Sequence, residues 1–128
     1  MRFMLLLKTE ENSSAGMPPK ELMDAIFRYG EEMTKAGVLL DTGGLAPTVT
    51  GTRIRLSAPG KITVTDGPFT ESKEMIASYA MIEAGSQQEA VEFATRFMDL
   101  HREHWQGWEG ESEVRQIFGP DSPPPFAQ

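Results

Sequence analysis

The chain has no cysteine and no long apolar run, and each absence excludes a class of protein. Without cysteine there can be no disulfides, thiolate metal ligands or cysteine nucleophiles. The apolar run near the start is confined to residues 3–7, shorter than the about 7–15 residues of a signal-peptide core. No stretch approaches the ~18 apolar residues of a membrane span. The sequence therefore predicts a soluble, cytoplasmic protein with no membrane contact.

Basic residues are also scarce. Twelve Lys and Arg stand against 19 Asp and Glu, which gives a net charge of −7. A nucleic-acid surface needs clustered Lys and Arg, so we expect no nucleic-acid partner. The 128 residues, with 39% hydrophobic and 24% charged, are typical of one globular domain built around a single core.

Two helices are predicted from apolar spacing and end signals. Residues 22–33 carry an apolar stripe with a 3.6-residue period after Pro18-Pro19, and Gly37 is placed to cap the end of this helix. Ser86 and Glu89 have the spacing of a capping box and predict the start of a second helix.

Strand-like patterns lie before, between and after these helices. They cover residues 3–7, 38–40, 53–57, 61–65, 76–82 and 113–118. The turn at residues 58–60 predicts a hairpin, and we expect one face of it, formed by Ile54, Leu56, Ile62 and Val64, to be buried. The order strand, helix, strand, hairpin, strand, helix, strand predicts an α+β, ferredoxin-like subunit.

The second face of the predicted sheet points to a partner subunit. Two helices cover one face only, whereas Met4 and Leu6 make the other face of the first strand as apolar as the helix-covered one. Packing of a second copy sheet to sheet would bury that face. The sequence therefore predicts a homodimer.

The loop after the hairpin carries the most specific motif. The loop reads Asp66-Gly67-Pro68-Phe69-Thr70-Glu71-Ser72-Lys73-Glu74. Together with Ser78-Tyr79 and Glu113-Val114-Arg115, this loop resembles the DGPF branch of the YCII-related (YciI-like) family. The resemblance spans residues 1–119, and the proline-rich residues 120–128 are predicted to form an extended tail. It implies a dimeric α+β barrel of ferredoxin-like subunits.

The resemblance leaves the function open between two classes. A His and Asp pair in YciI-like members suggested an enzyme, and one relative is a dehydrochlorinase acting on a chlorinated hydroxyquinol. DGPF members also occur beside extracytoplasmic-function sigma factors. Here Ile26 stands roughly where the YciI-like histidine would be, so that family mechanism does not carry over directly.

Asp66 and His104 are the candidate catalytic residues. Asp66 either accepts hydrogen bonds within its own Gly-Pro turn or acts as a carboxylate base held by that turn. His104 either serves as an acid–base group, because its pKa lies near neutrality, or is a charge stabilised by the helix dipole.

Lys73, Tyr79 and Trp105 are the candidate substrate-binding residues, by charge, phenol and aromatic surface respectively. We expect a ligand cavity to lie between the helices and the sheet, rimmed by Asp66, Lys73, Tyr79 and His104. His101 and His104 are three residues apart, a spacing too weak to predict a metal site without a third ligand. We therefore expect neither a metal nor an organic cofactor.

Two functional hypotheses follow. In the first, the protein is a cofactor-independent lyase- or isomerase-type enzyme on a small acid or enol, with Asp66 or His104 moving the proton. In the second, it is a non-catalytic module that binds a small-molecule ligand or a sigma-factor-type partner.

Overall fold

The computed structural model describes residues 1–11, 14–69 and 74–120, and its elements follow the predicted order. The elements are β1 (Arg2–Thr9), α1 (Lys20–Lys35), β2 (Leu39–Gly44), a 3-10 turn (Thr48–Thr50), β3 (Thr52–Ser57), β4 (Lys61–Asp66), β5 (Met75–Glu83), α2 (Gln87–His104) and β6 (Glu111–Ile117). The 3-10 turn was not predicted. Within the described ranges, no helix is long and apolar enough to cross a membrane.

Four strands form the main sheet, in the order β2-β5-β1-β6, and every neighbouring pair is antiparallel. The two long, largely apolar strands β1 and β5 occupy its centre, as expected for strands that need neighbours on both sides. This order with two helices confirms the predicted α+β, ferredoxin-like fold. β3 and β4 pair only with each other, as a separate two-stranded sheet.

Both predicted helix-end signals are present. The Ser86 hydroxyl accepts the Glu89 backbone N–H at 3.2 Å, while the Glu89 carboxylate accepts the Gly85 N–H at 2.7 Å. Gly37 follows α1 with φ of 77°, the left-handed conformation that glycine adopts without strain.

The second helix lies directly on the sheet because its contact residues are small. Ala90 and Ala94 are buried and pack against the central strands, in a cluster with Phe3, Leu5 and Ile82. Alanine methyl groups let the helix backbone approach the sheet closely. This cluster is the main hydrophobic core.

The first helix packs mainly on the second helix. Leu22 and Ala25 of α1 form a second buried cluster with Leu100 of α2. Tyr29 adds a ring contact with Phe93, with 4.9 Å between centroids, and its hydroxyl donates to the Phe93 carbonyl at 3.1 Å. Because α1 is held by α2, a gap remains between α1 and the sheet, and this gap becomes the cavity described below.

The sheet face opposite the helices is less apolar than predicted. Strand pairing places Leu6 beside Tyr79 and Glu113 on this face. Lys8 forms an ion pair with Glu113, whose other carboxylate oxygen is 3.6 Å from Arg115. A dimer formed through this face stays a prediction, and it would have to cover charged groups as well as Met4 and Leu6.

The prediction of a buried hairpin face was wrong for the single chain. Pairing of Ile54 with Val64 and of Leu56 with Ile62 does put the four apolar side chains on one face. They are nevertheless 74%, 63%, 71% and 65% exposed, respectively. The alternation was interpreted correctly, but β3 and β4 form their own sheet, so the main sheet and its helices do not supply a covering layer.

Candidate functional site

Asp66 ends β4 at the base of the hairpin. Its carboxylate accepts a hydrogen bond from the Thr52 hydroxyl at 2.9 Å, across the strand pair. The residue is exposed. One alternative from the sequence was that this carboxylate accepts hydrogen bonds within its own turn; the hydrogen bond described here comes from the neighbouring strand.

Gly67 is in contact with the 3-10 turn. Its N–H donates to the Gly51 carbonyl at 2.8 Å, and a Cβ at this position would lie 1.6 Å from the Thr48 carbonyl oxygen. Thr48 is held in turn by Glu11, whose carboxylate accepts both its backbone N–H and its hydroxyl. These hydrogen bonds lower the pKa of Glu11. The Gly-Pro corner is therefore part of the base that supports the hairpin.

Phe69 extends this base. The Arg53 guanidinium carbon lies 3.8 Å from the centre of its ring, a cation–π distance. The Phe69 N–H donates to the Thr48 hydroxyl at 3.4 Å. Lys73, a predicted substrate-binding residue, lies outside the described residues.

His101 is buried among aromatic rings. Its Nδ1 lies 2.9 Å from the Phe97 carbonyl, and its ring is 4.5 Å from Trp108 between centroids. Burial lowers the pKa of His101, although the contact with Phe97 opposes this effect. The ring is part of the core at neutral pH.

His104 and Trp105 lie at the end of α2. His104 is partly exposed, with Nε2 3.8 Å from the Glu103 carboxylate. Trp105 stacks on Trp108 at 5.6 Å between centroids, and its indole N–H donates to the Ala15 carbonyl at 3.2 Å. Among the described residues, no hydrogen bond, ion pair or ring contact joins either residue to Asp66. Their acid–base and binding roles stay predictions.

Tyr79 lies on the open face of the sheet. Its ring packs over Gly43, where a Cβ would meet Cε1 at 2.9 Å. Its hydroxyl donates to the Asp41 carboxylate at 3.2 Å, and this hydrogen bond raises the pKa of Tyr79. Since side chains alternate along a strand, the phenol points away from the helices.

A cavity of about 770 Å³ lies between α1 and the helix-covered face of the sheet. The sheet supplies the floor and the two helices the walls; the apolar lining is Leu5, Leu7, Met23, Ile26, Phe27, Leu39, Ala80, Phe93 and Phe97. Its size is within the about 300–1,000 Å³ of ligand pockets. Tyr79 is the one predicted site residue that borders it in the described structure, and by strand alternation its ring is on the other side of the sheet.

Polar groups are few in this cavity and occupy defined places. Ser78 and Ser112 flank Leu7 on the floor because both pair with it, on β5 and β6. Thr42 also borders the cavity, but its hydroxyl already donates to the Tyr79 carbonyl at 2.9 Å. The floor thus presents two serine hydroxyls within an otherwise apolar surface.

The charged residues at the cavity all belong to α1. They are Asp24, Glu31 and Lys35. Asp24 is paired with Lys20 at 2.8 Å, and this hydrogen bond lowers the pKa of Asp24, so the carboxylate is ionised at neutral pH. Since Lys20 neutralises Asp24, and Glu31 and Lys35 carry opposite charges, the charged groups at the cavity give it no net charge.

Tyr29 is the titratable residue buried deepest at the cavity wall. Burial raises the pKa of Tyr29 to about 12, so its hydroxyl is protonated under physiological conditions. Within the described ranges there is also no cluster of three or more His, Asp or Glu side chains that could hold a metal ion.

The sequence predicted a cavity between the helices and the sheet, and one is present there, but of the predicted rim Tyr79 borders it whereas Asp66 and His104 do not. Ile26, predicted as part of the apolar stripe of the first helix and as the position of the relatives' histidine, lines the cavity wall. The detectable signal was the two serines, which interrupt strands at positions that face the core. Recognising them requires the strand register, which the sequence patterns alone did not provide.

The fold and the cavity define an α+β protein of ferredoxin-like architecture with a space suited to a small molecule. Comparison with known families gives the class: the YCII-related domain model matches residues 1–98, and the chain belongs to the YCII-related family. It is 30% identical over 97 residues to "Uncharacterized protein R00369" of Rhizobium meliloti (strain 1021), covering 73% of this chain and 77% of that protein. The resemblance drawn from the loop motif is confirmed, whereas the domain limit at residue 119 stays a prediction.

Proposed function

We propose that the protein binds a small, mostly apolar molecule in the cavity between α1 and the sheet. The observation that supports this is the cavity itself, since its lining combines a broad apolar surface with two hydroxyls on one side. Ligand sites in proteins have this composition, in which apolar area provides affinity and a few polar groups fix orientation.

The charges at the cavity select the chemistry of the ligand. With Asp24 paired to Lys20, and Glu31 and Lys35 of opposite charge, the cavity has no net positive charge to compensate for burying a carboxylate ligand, whereas a neutral hydroxyl compound needs none. Ser78 and Ser112 can each donate and accept a hydrogen bond. The favoured ligand is therefore a neutral aromatic or alicyclic alcohol or enol.

The enzyme hypothesis has less support from the cavity. An enol is among the small molecules that the cavity would accept. The acid–base chemistry, however, was assigned to Asp66 and His104, and neither borders the cavity in the described structure. Binding without turnover is therefore the function proposed first. A sigma-factor-type partner stays a prediction from the family resemblance.

A titration with a matched pair of probes tests the proposal. We expect 2-naphthol to shift backbone amide NMR signals of α1, β1 and β5, and to bind more tightly than 2-naphthoate, which has the same rings and a negative charge. A panel of neutral aromatic alcohols that produced no shifts in these elements would contradict the proposal.

Two variants that narrow the cavity test whether 2-naphthol binds there. Ala80→Phe places a ring on the cavity floor, and Gly30→Leu narrows the cavity from α1, where a Cβ meets only Leu39 at 3.7 Å. Each should weaken 2-naphthol binding by at least ~10-fold, about 1.4 kcal/mol. Met81→Phe, at the neighbouring residue of β5 that pairs with Met4 on the opposite face, is the matched control and should bind as the wild type does. Equal affinity in all variants would place the ligand elsewhere.

A further inference from the structure

Most hydroxyl groups at the cavity already donate a hydrogen bond within the protein. In the described structure six residues with a hydroxyl border the cavity, namely Tyr29, Thr34, Thr42, Ser78, Tyr79 and Ser112. Tyr29 donates to the Phe93 carbonyl at 3.1 Å, and Thr34 donates to the Gly30 carbonyl at 2.7 Å. Thr42 donates to the Tyr79 carbonyl at 2.9 Å, and the Tyr79 phenol donates to Asp41 at 3.2 Å. These four hydroxyl protons are therefore not available to a ligand.

Ser78 and Ser112 are the two hydroxyls that remain. Within residues 1–11, 14–69 and 74–120, neither side chain has a hydrogen-bond partner, and both side chains are half-buried. Apolar β-branched residues suit the covered face of a strand better, and a hydroxyl that leaves water without a new partner costs free energy. The occupant of the cavity is what can satisfy these two groups.

The strand register sets the spacing of the two serines. Ser78 of β5 and Ser112 of β6 both pair with Leu7 of β1, which lies between them. Residues directly opposite each other share one face of a sheet, so the three side chains form a row across the cavity floor. Neighbouring strands are about 4.8 Å apart, which separates the two serines by roughly 9–10 Å. The row is polar at both ends and apolar in the middle.

The length of this row selects the shape of a ligand. Because the Leu7 side chain occupies the middle of the row, a ligand lies above it and meets the serine hydroxyls from above. With hydrogen bonds of about 2.8 Å in this direction, the two ligand oxygens have to be roughly 7–8 Å apart. One six-membered ring with oxygens at opposite ends is too short, whereas two fused rings are long enough. Leu5, Phe93 and Phe97 provide apolar surface for such rings.

We infer that Ser78 and Ser112 recognise the two ends of one ligand, a rigid two-ring molecule with an oxygen function at each end. This inference rests on the proposed function, because it concerns the same cavity, and it adds the requirement for a second oxygen. Each serine can donate and accept a hydrogen bond, so each end of the ligand is a hydroxyl or a carbonyl.

Two isomers of naphthalenediol test the spacing by calorimetric titration of the full chain. The 2,6-isomer has a hydroxyl at each end, whereas the 2,3-isomer has the same rings with both hydroxyls at one end and reaches one serine only. We expect the 2,6-isomer to bind about 3–10-fold more tightly, the usual net effect of one hydrogen bond. If 2-naphthol bound and the two diols had equal affinity, the proposed function would stand and the pairing of the serines would be wrong. If none of the three bound, both would fail.

Serine variants test each end of the ligand separately. Ser78→Ala and Ser112→Ala should each weaken binding of the 2,6-isomer about 3–10-fold. 2-Naphthol has one hydroxyl and can turn to the remaining serine, so each single variant should weaken its binding only slightly, and the double variant should weaken it more. Ser57→Ala, at the end of β3, is the matched control and should bind all three compounds as the wild type does. An effect of only one single variant on the 2,6-isomer, or of neither, would overturn the inference.

Discussion

A buried imidazole makes the stability of this fold depend on pH. Burial lowers the pKa of His101 below its ordinary 6.5. In the interval between the folded-state pKa and 6.5 the unfolded chain binds more protons, so the unfolding free energy falls as the pH falls. Above that interval His101 is neutral in both states and has no such effect.

His101→Phe should remove this dependence while keeping an aromatic ring against Phe97 and Trp108. We expect the urea midpoint of the wild type to fall more between pH 7.5 and 5.0 than that of the variant. The carboxylates with lowered pKa values, such as Glu11 and Glu113, titrate below their ordinary 4.5, so the difference between the two proteins isolates the histidine. His104→Gln, at a partly exposed position, is the control, and its urea midpoint should fall as much as that of the wild type. If the midpoint of His101→Phe fell equally, His101 would not be the source of the pH dependence.

Individual residues were predictable where their role is local. Ser86 and Gly37 act through neighbours in sequence, and both have the predicted roles. Asp66 was correctly placed beside a turn, but its partner Thr52 is on another strand. The cavity serines acquire meaning only from their pairing with Leu7, a long-range relation that no local pattern encodes.

At the scale of elements, the hairpin depends on close backbone contact at its base. Gly67→Ala would put a Cβ 1.6 Å from the Thr48 carbonyl oxygen, so the 3-10 turn and the Gly-Pro corner would have to separate. We expect a loss of about 1–3 kcal/mol in unfolding free energy, the usual cost of overpacking, measured by urea unfolding.

Gly44→Ala provides the control for this prediction. Gly44 ends β2, and a Cβ there meets no atom within 4 Å. This variant should be as stable as the wild type or slightly more stable, because alanine restricts the unfolded chain. If Gly67→Ala were equally stable, the contact with Thr48 would not be structurally important.

The elements themselves were predicted almost completely, but their packing was only partly predicted. Hydrophobic periodicity reports which face of an element is apolar, and it does so correctly for β3 and β4. It does not report what covers that face. The same limit applies to α1, whose apolar stripe is shared between α2 and the cavity, so Leu22 is buried whereas Phe27 is exposed.

At the scale of the whole molecule, the cavity lies between the two layers of the fold. Residues of α1, α2 and the main sheet all line it, so a molecule bound there contacts elements that separate when the chain unfolds. A ligand that binds the folded state alone stabilises that state by mass action. Occupation of the cavity should therefore stabilise the whole fold.

This coupling of binding to folding gives the last prediction. With 2-naphthol at about 100 times its dissociation constant, we expect the unfolding free energy of the wild type to rise by about 2.7 kcal/mol, measured by urea unfolding with and without the ligand. Ala80→Phe, with its cavity filled, should have the same urea midpoint in both conditions, whereas Met81→Phe should respond as the wild type does. An equal rise in Ala80→Phe would mean that 2-naphthol stabilises the protein from another site, because the filled cavity has no room for it.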